Sequence, residues 1–278
     1  MKRYLKLVNF EINRFVKIYL SLLVITLILQ FAGVVLESNE YIDSANRTMV
    51  QQSWSKAEYI TQYGKISFPV LMQGLWFTGS MALCAAALLF YIFLIWYRDW
   101  FGKNTFIYRL LMLPTSRLTI YFAKATAIFL MVLGLIAFQL ILLPIQNSLF
   151  NSIIPADLRA AMNVDEIVRG SIYRSIIVPN SFSEFILIYG AGLMLVFILF
   201  TAILFERSFR LKGIILGILY CLATCSLFLS PVLIMEFTHQ ANIFYPLEFL
   251  AMEIGFGLLV AIASIFISGF LLTKKITV

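Results

Sequence analysis

Two groups of side chains carry whatever chemistry this sequence has. The first lies in residues 97–126, YRDWFGKNTFIYRLLMLPTSRLTIYFAKAT, where Arg98, Asp99, Lys103, Arg109, Arg117 and Lys124 supply charge. Phe106, Leu110 and Leu113 stand at i, i+4 and i+7, with Ile107 and Leu111 beside them, which gives a short helix with one apolar side. Apolar anchors within a cationic rim suit recognition of a partner surface, not bond making. The second group is Glu236, His239, Glu248 and Glu253, with the chain's single histidine among acids that flank an apolar run. Carboxylates at membrane depth are ion, proton or gate sites by default. Cys221 and Cys225 share a helix face but have no histidine or carboxylate near them, so they read as packing residues and no metal site is expected. HExxH, GxSxG and GxxxxGK[ST] are all missing, and Gly64-Lys65 lacks both the upstream glycine and the following Ser/Thr. Neither catalysis nor nucleotide hydrolysis is expected of this chain.

The elements that must position these groups are membrane helices. The chain is 62% hydrophobic and 13% charged over 278 residues, against about 25% charged in soluble domains. Six apolar runs, at about 16–36, 70–96, 119–145, 184–205, 213–235 and 247–272, are long enough to cross roughly 30 Å of hydrocarbon. The expected fold is all-α: one membrane domain, 1–278, with six spans. The first run is too long for a signal peptide and reads as a retained span. Pro144 is expected to end the third run, and Gly213 and Gly217 to let the fifth pack closely. Fifteen of the 21 cations fall in the N-terminus, the second and fourth loops and the C-terminal segment. That bias puts both termini in the cytoplasm. With no basic run interleaved with aromatics outside the spans, the net charge of +7 reflects this topology and not nucleic-acid binding. Residues 1–17 form a basic amphipathic helix, with Tyr4, Leu7, Val8, Phe10, Ile12 and Phe15 on one side, expected to lie in the interface before turning into the first span. After Phe106–Leu113, Pro114 stops the short helix and Thr115 or Ser116 caps the next. Arg117 and Lys124 are expected to snorkel from its first turns.

The stretch Leu110-Leu111-Met112-Leu113-Pro114-Thr115-Ser116-Arg117, with Lys124 beyond it, resembles the segment between the second and third spans of ABC-2 type permeases, the membrane subunits of a class of ATP-binding-cassette exporters. The resemblance rests on Leu110, Leu111, Pro114, Ser116, Arg117 and Lys124, with Tyr97–Lys103 a looser match to the family's lead into this segment. It extends in layout to the whole chain. It implies an interfacial N-terminal helix, six spans, and a re-entrant hairpin before the last span, which residues 230–253 with Pro231 and Pro246 suit. It further implies that Arg98, Asp99, Phe101, Lys103, Phe106, Arg109, Leu110, Pro114, Ser116 and Arg117 form a coupling helix. That helix would seat in a separate P-loop ATPase that binds ATP and Mg. A second permease chain, the same or related, would complete the exporter in a cell membrane. The family handles amphiphilic cargo such as antimicrobial peptides, drugs or lipid-like molecules. A secondary transporter or channel built on Glu248 and Glu253 is the alternative.

Overall fold

The computed structural model describes residues 2–101, 106–112, 115–170, 179, 181–237 and 245–276. These residues are helical almost throughout, with no strand among them. Six helices are long and apolar enough to cross a membrane, as the apolar runs dictate, so the chain is a multi-pass membrane protein. In order the helices are α1 (Lys2–Gln52), α2 (Lys56–Tyr63), α3 (Phe68–Leu71), α4 (Leu75–Trp100), α5 (Phe106–Leu111), α6 (Arg117–Ile153), α7 (Val164–Gly170), α8 (Phe182–Phe209), α9 (Leu211–Phe228), α10 (Ser230–Phe237) and α11 (Pro246–Phe270). A π-helical turn, Leu271–Lys275, follows α11. The membrane-long helices are α1, α4, α6, α8, α9, and α11 with its π-turn.

Three boundaries differ from the sequence expectation. α1 runs unbroken from Lys2 to Gln52, with no turn near residue 17. Nothing between residues 2 and 32 breaks a helix, since neither Gly nor Pro occurs there. Its buried positions, Val8, Glu11, Phe15, Leu22, Thr26, Gln30 and Val34, recur every three, four or seven residues along one face. α6 passes through Pro144 to Ile153. An interior proline costs roughly 3 kcal/mol, whereas each fully buried Leu or Phe contributes about 1.5–3 kcal/mol. Leu143 and Phe150 on either side are both fully buried, so packing outweighs the lost hydrogen bond. The fifth span stops at Phe228 and not near 235. Pro231, which has no N–H to continue the ladder, sits instead in the first turn of α10.

The chain divides into two compact units. The first comprises Met1–Asn13, Leu89–Leu130 and Phe182–Val278; the second comprises Arg14–Leu88 and Met131–Ser181. In the first, α8, α9 and α11 pack together around Met194, Ile198 and Val260. Gly213 and Gly217 make the close α8–α9 approach possible. A Cβ on Gly217 would sit 3.0 Å from the Ala202 carbonyl, and one on Gly213 would run into the Phe205 carbonyl. The second unit has an apolar core of Val34, Phe68, Phe77, Leu143, Phe150 and Ile167 among others, with Phe68 edge-on to both Phe77 and Phe150. α2 starts in a capping box: Ser55 N–H donates to Glu58 Oε2 at 2.6 Å and Glu58 N–H to Ser55 Oγ at 3.3 Å. The backbone and side-chain bonds from Ser55 hold the Glu58 carboxyl below its usual range.

Candidate functional site

Lys124, on the second turn of α6, is fully buried. Its ammonium has three hydrogens, and each finds an acceptor in the first unit. Nζ lies 2.8 Å from Glu11 Oε1, 2.5 Å from Asp99 Oδ2 and 3.0 Å from the Ile95 carbonyl. The cation also sits 5.3 Å from the centre of the Trp96 ring. Glu11 and Asp99 are buried as well. Glu11 Oε2 accepts from Arg98 at 3.1 Å, and its carbonyl accepts from Tyr91 at 3.2 Å. Two acids and two cations from α1, α4 and α6 thus meet in one network. The snorkelling expected of Lys124 does not occur. The apolar face of α6 carries it inward, where the two carboxylates replace its water shell. Breaking such a network by removing one partner is strongly destabilising, because the rest is left as uncompensated buried charge.

The residues around this network are tied down in turn. Arg207 of α8 lies over the rings of Tyr97, Trp100 and Phe101, at 4.6, 5.6 and 5.7 Å from their centres, while the Tyr97 hydroxyl donates to Glu206. Arg117 donates to the carbonyls of Leu272 and, at 2.7 Å, Ile276. A cation there satisfies acceptors left open at a helix C-terminus. Ser116, just before α6, pairs with the Thr119 hydroxyl at 2.7 Å.

The expected anchors turn inward. Leu110 is 4% exposed, and Ile107 and Leu111 are buried beside it, so Leu110 packs within the unit and is not presented to a partner. Phe106 is half-buried and stacks on Phe10 of α1 at 5.7 Å. Outward from α5 and its end stand Arg109 and Met112, the latter 71% exposed; Phe101 is also exposed. Between the start of α1 and α5 lies a recess of about 480 Å³, with Leu7, Phe10, Phe106 and Leu110 on its walls and Arg3 and Lys6 at its edge. Lys103 and Pro114 lie outside the described residues.

Sequence reasoning missed Glu11, Arg3 and Lys6 as parts of this site. A signal existed for Glu11: it is the one acid before residue 37, and it falls on the buried stripe of a basic helix.

The other acids are scattered. Glu236 is exposed at the end of α10. Glu248 accepts from the Tyr245 N–H at 3.0 Å, closing the first turn of α11. Glu253 is half-buried one turn on, and His239 lies outside the described residues. Among the described residues no three His, Cys, Asp or Glu side chains cluster closely enough to hold a metal ion.

The second unit buries neutral polar groups. Gln30 Nε2 donates to Ser80 Oγ and to Gln139 Oε1, both at 3.0 Å, and Gln30 Oε1 accepts from Gln146 Nε2 at 2.8 Å. The amides form a ladder from α6 through α1 to α4. Gln139 Nε2 and Gln146 Oε1 have no partner in it.

No protein-family model, curated protein or solved structure matches this chain.

Proposed function

We propose that this chain is the six-span permease subunit of an ABC-2 type exporter, driven by a separate P-loop ATPase that binds ATP and Mg. In this reading α5 is the coupling helix. The first turns of α1 continue its span on the cytoplasmic side, both termini are cytoplasmic, and α10 with the start of α11 forms a re-entrant hairpin. A second permease chain and the bilayer cover the remaining apolar faces. The cargo is an amphiphile such as an antimicrobial peptide, a drug or a lipid-like molecule.

One observation carries the reading most directly. α5 is a short helix between two membrane-long helices. One side of it is buried, the other presents Arg109 and Met112, and its Phe106 and Tyr108 rings meet Phe10 and Trp100, the sequence neighbours of Glu11 and Asp99. A push on such a helix passes into buried groups that resist deformation. The sequence bias of cations towards this segment supports the orientation. The carrier reading built on Glu248 and Glu253 has less support, because Glu248 is engaged at its own helix N-terminus.

The test is an affinity capture of the intact chain from its host in mild detergent, and again in a lipid nanodisc, with retained proteins identified by mass. A stoichiometric P-loop ATPase is expected, and it should be lost from an Arg109→Glu/Met112→Asp variant whose thermal unfolding is unchanged. Capture without an ATPase in both media would overturn the reading.

A further inference from the structure

We propose that the start of α1 and the segment from α5 into α6 form a binding site for an anionic phospholipid. Its phosphate is held by Arg3 and Lys6, and its two acyl chains lie in the recesses on either side of Arg3. The site falls wholly within the first unit and does not depend on the exporter reading.

Arg3 and Thr115, which line the recess between α1 and α5, also line a second one of about 560 Å³ walled by Tyr4, Leu5 and Phe122. Two apolar recesses thus meet at one cation, as two acyl chains meet at one headgroup. Arg3 and Lys6 are exposed at the rim. Among the described residues no carboxylate lines either recess. Glu11, the one acid before residue 37, is turned inward onto Lys124 and Arg98. The lining therefore carries positive charge alone, which complements a phosphodiester.

Depth says that the anion is a lipid. Tyr4 pairs with the Thr126 hydroxyl at 2.5 Å. That contact sets Arg3 and Lys6 beside the first turns of α6, where the chain passes from Ser116 and Arg117 into its apolar run. The Phe10–Phe106 stack brings α5 to the same end, and there the Trp100 and Tyr108 rings meet. Trp and Tyr settle at the headgroup level of a bilayer. An acidic peptide at this depth would press backbone N–H and C=O groups against apolar walls, whereas an acyl chain has no such groups. A zwitterionic lipid would bring an ammonium towards two cations, which repel it.

The test is photolabelling of the purified full chain in phosphatidylcholine nanodiscs, using a phosphatidylglycerol with a diazirine on each acyl chain and mapping the labelled residues by mass. Labels should fall on both recesses, at Leu7 and Phe10 and at Leu5 and Phe122. Each basic residue near an anionic headgroup is worth about five-fold. Unlabelled phosphatidylglycerol should therefore compete roughly twenty-five-fold more strongly than added phosphatidylcholine. Arg3→Gln/Lys6→Gln should erase that preference. Lys6→Gln alone should lower it about five-fold, which keeps the test valid even if the double variant misfolds. Lys212→Gln/Lys274→Gln removes two exposed cations elsewhere in the unit and should leave the preference intact. An equal loss in that control would mean diffuse attraction to the surface and would overturn the site. So would labels elsewhere, or phosphatidylcholine competing as well as phosphatidylglycerol. Full competition by inorganic phosphate would assign the two cations to a free anion and overturn the lipid.

Discussion

Among the described residues the first unit buries ions, namely Glu11, Asp99 and Lys124 with Arg98 at the edge, beside the neutral Thr201, Thr224, Ser264 and Ser268. The second buries neutral groups alone: Thr26, Gln30, Ser38, Ser80, Gln139 and Gln146. Charge sets how completely the central donor of each network is met. A buried ammonium or carboxylate carries a desolvation cost of several kcal/mol, so all three Lys124 hydrogens find acceptors. A buried amide costs less to leave partly unmade, and the ladder leaves two atoms open. The ionic network therefore fixes one arrangement of α1, α4 and α6 in its unit.

The largest effect should come from breaking the ionic side. Lys124→Met leaves Glu11 and Asp99 buried 2.8 and 2.5 Å from where their cation stood. It should cost about 3–5 kcal/mol. Hydrogen exchange should rise in residues 89–130, well above any change in 14–88. The triple variant Glu11→Gln/Asp99→Leu/Lys124→Met should recover much of that loss, because it removes the three fully withdrawn charges and leaves only Arg98, which keeps some access to solvent. If the triple is as unstable as the single, packing and not charge is what Lys124 supplies.

Gln30→Leu tests the neutral side. It strands Gln146 Nε2 and removes the partner of Gln139 and Ser80, for an expected cost of about 1–3 kcal/mol. The exchange increase should now be confined to the second unit. A loss as large as that of Lys124→Met would erase the contrast between the units.

A matched pair sharpens the comparison at smaller scale. Tyr4 pairs with the Thr126 hydroxyl at 2.5 Å in the first unit, and Tyr19 donates to the Met131 carbonyl at 2.9 Å in the second. Each Tyr→Phe change should lower stability by about 0.5–1.5 kcal/mol, with similar values in the two units when read by thermal unfolding. Unequal values would mean that the units differ in their ordinary hydrogen bonds too.

The smallest effect is a pH dependence in the second unit. Glu58 has its folded pKa below the usual 4.5. Its contribution to α2 is therefore complete above that usual value and is lost as pH falls through the lowered one. Amide exchange in Lys56–Tyr63 should quicken only on acidification through that window, and Glu58→Gln should flatten the response. A wild-type profile with no acid step would show that the box adds nothing to α2.

Much of the fold was legible in the sequence. The six long helices coincide with six apolar runs, and the Gly213–Gly217 pair marks a close helix approach in the structure. The errors have physical causes. Pro144 is a helix breaker by local rule, yet buried Leu143 and Phe150 hold α6 together across it. The candidate site was legible only as a segment. Periodicity gave α5 an apolar side but could not say that Leu110 meets its own unit and not a partner. Arg117 and Lys124 looked alike as cations near a helix start; one reaches the carbonyls of Leu272 and Ile276, and the other two carboxylates.

The sequence by itself determined that this is an all-helical, multi-pass membrane protein. The length of an apolar run and the thickness of hydrocarbon are both one-dimensional quantities, and comparing them needs no contacts. Only the tertiary structure decided which polar groups are buried and with what. Lys124 and Glu11 are 113 positions apart, and Gln30 stands 109 and 116 positions from its partners on α6. Pairing at that range depends on which faces of distant helices meet. The packing of the whole chain sets that, and no local spacing encodes it.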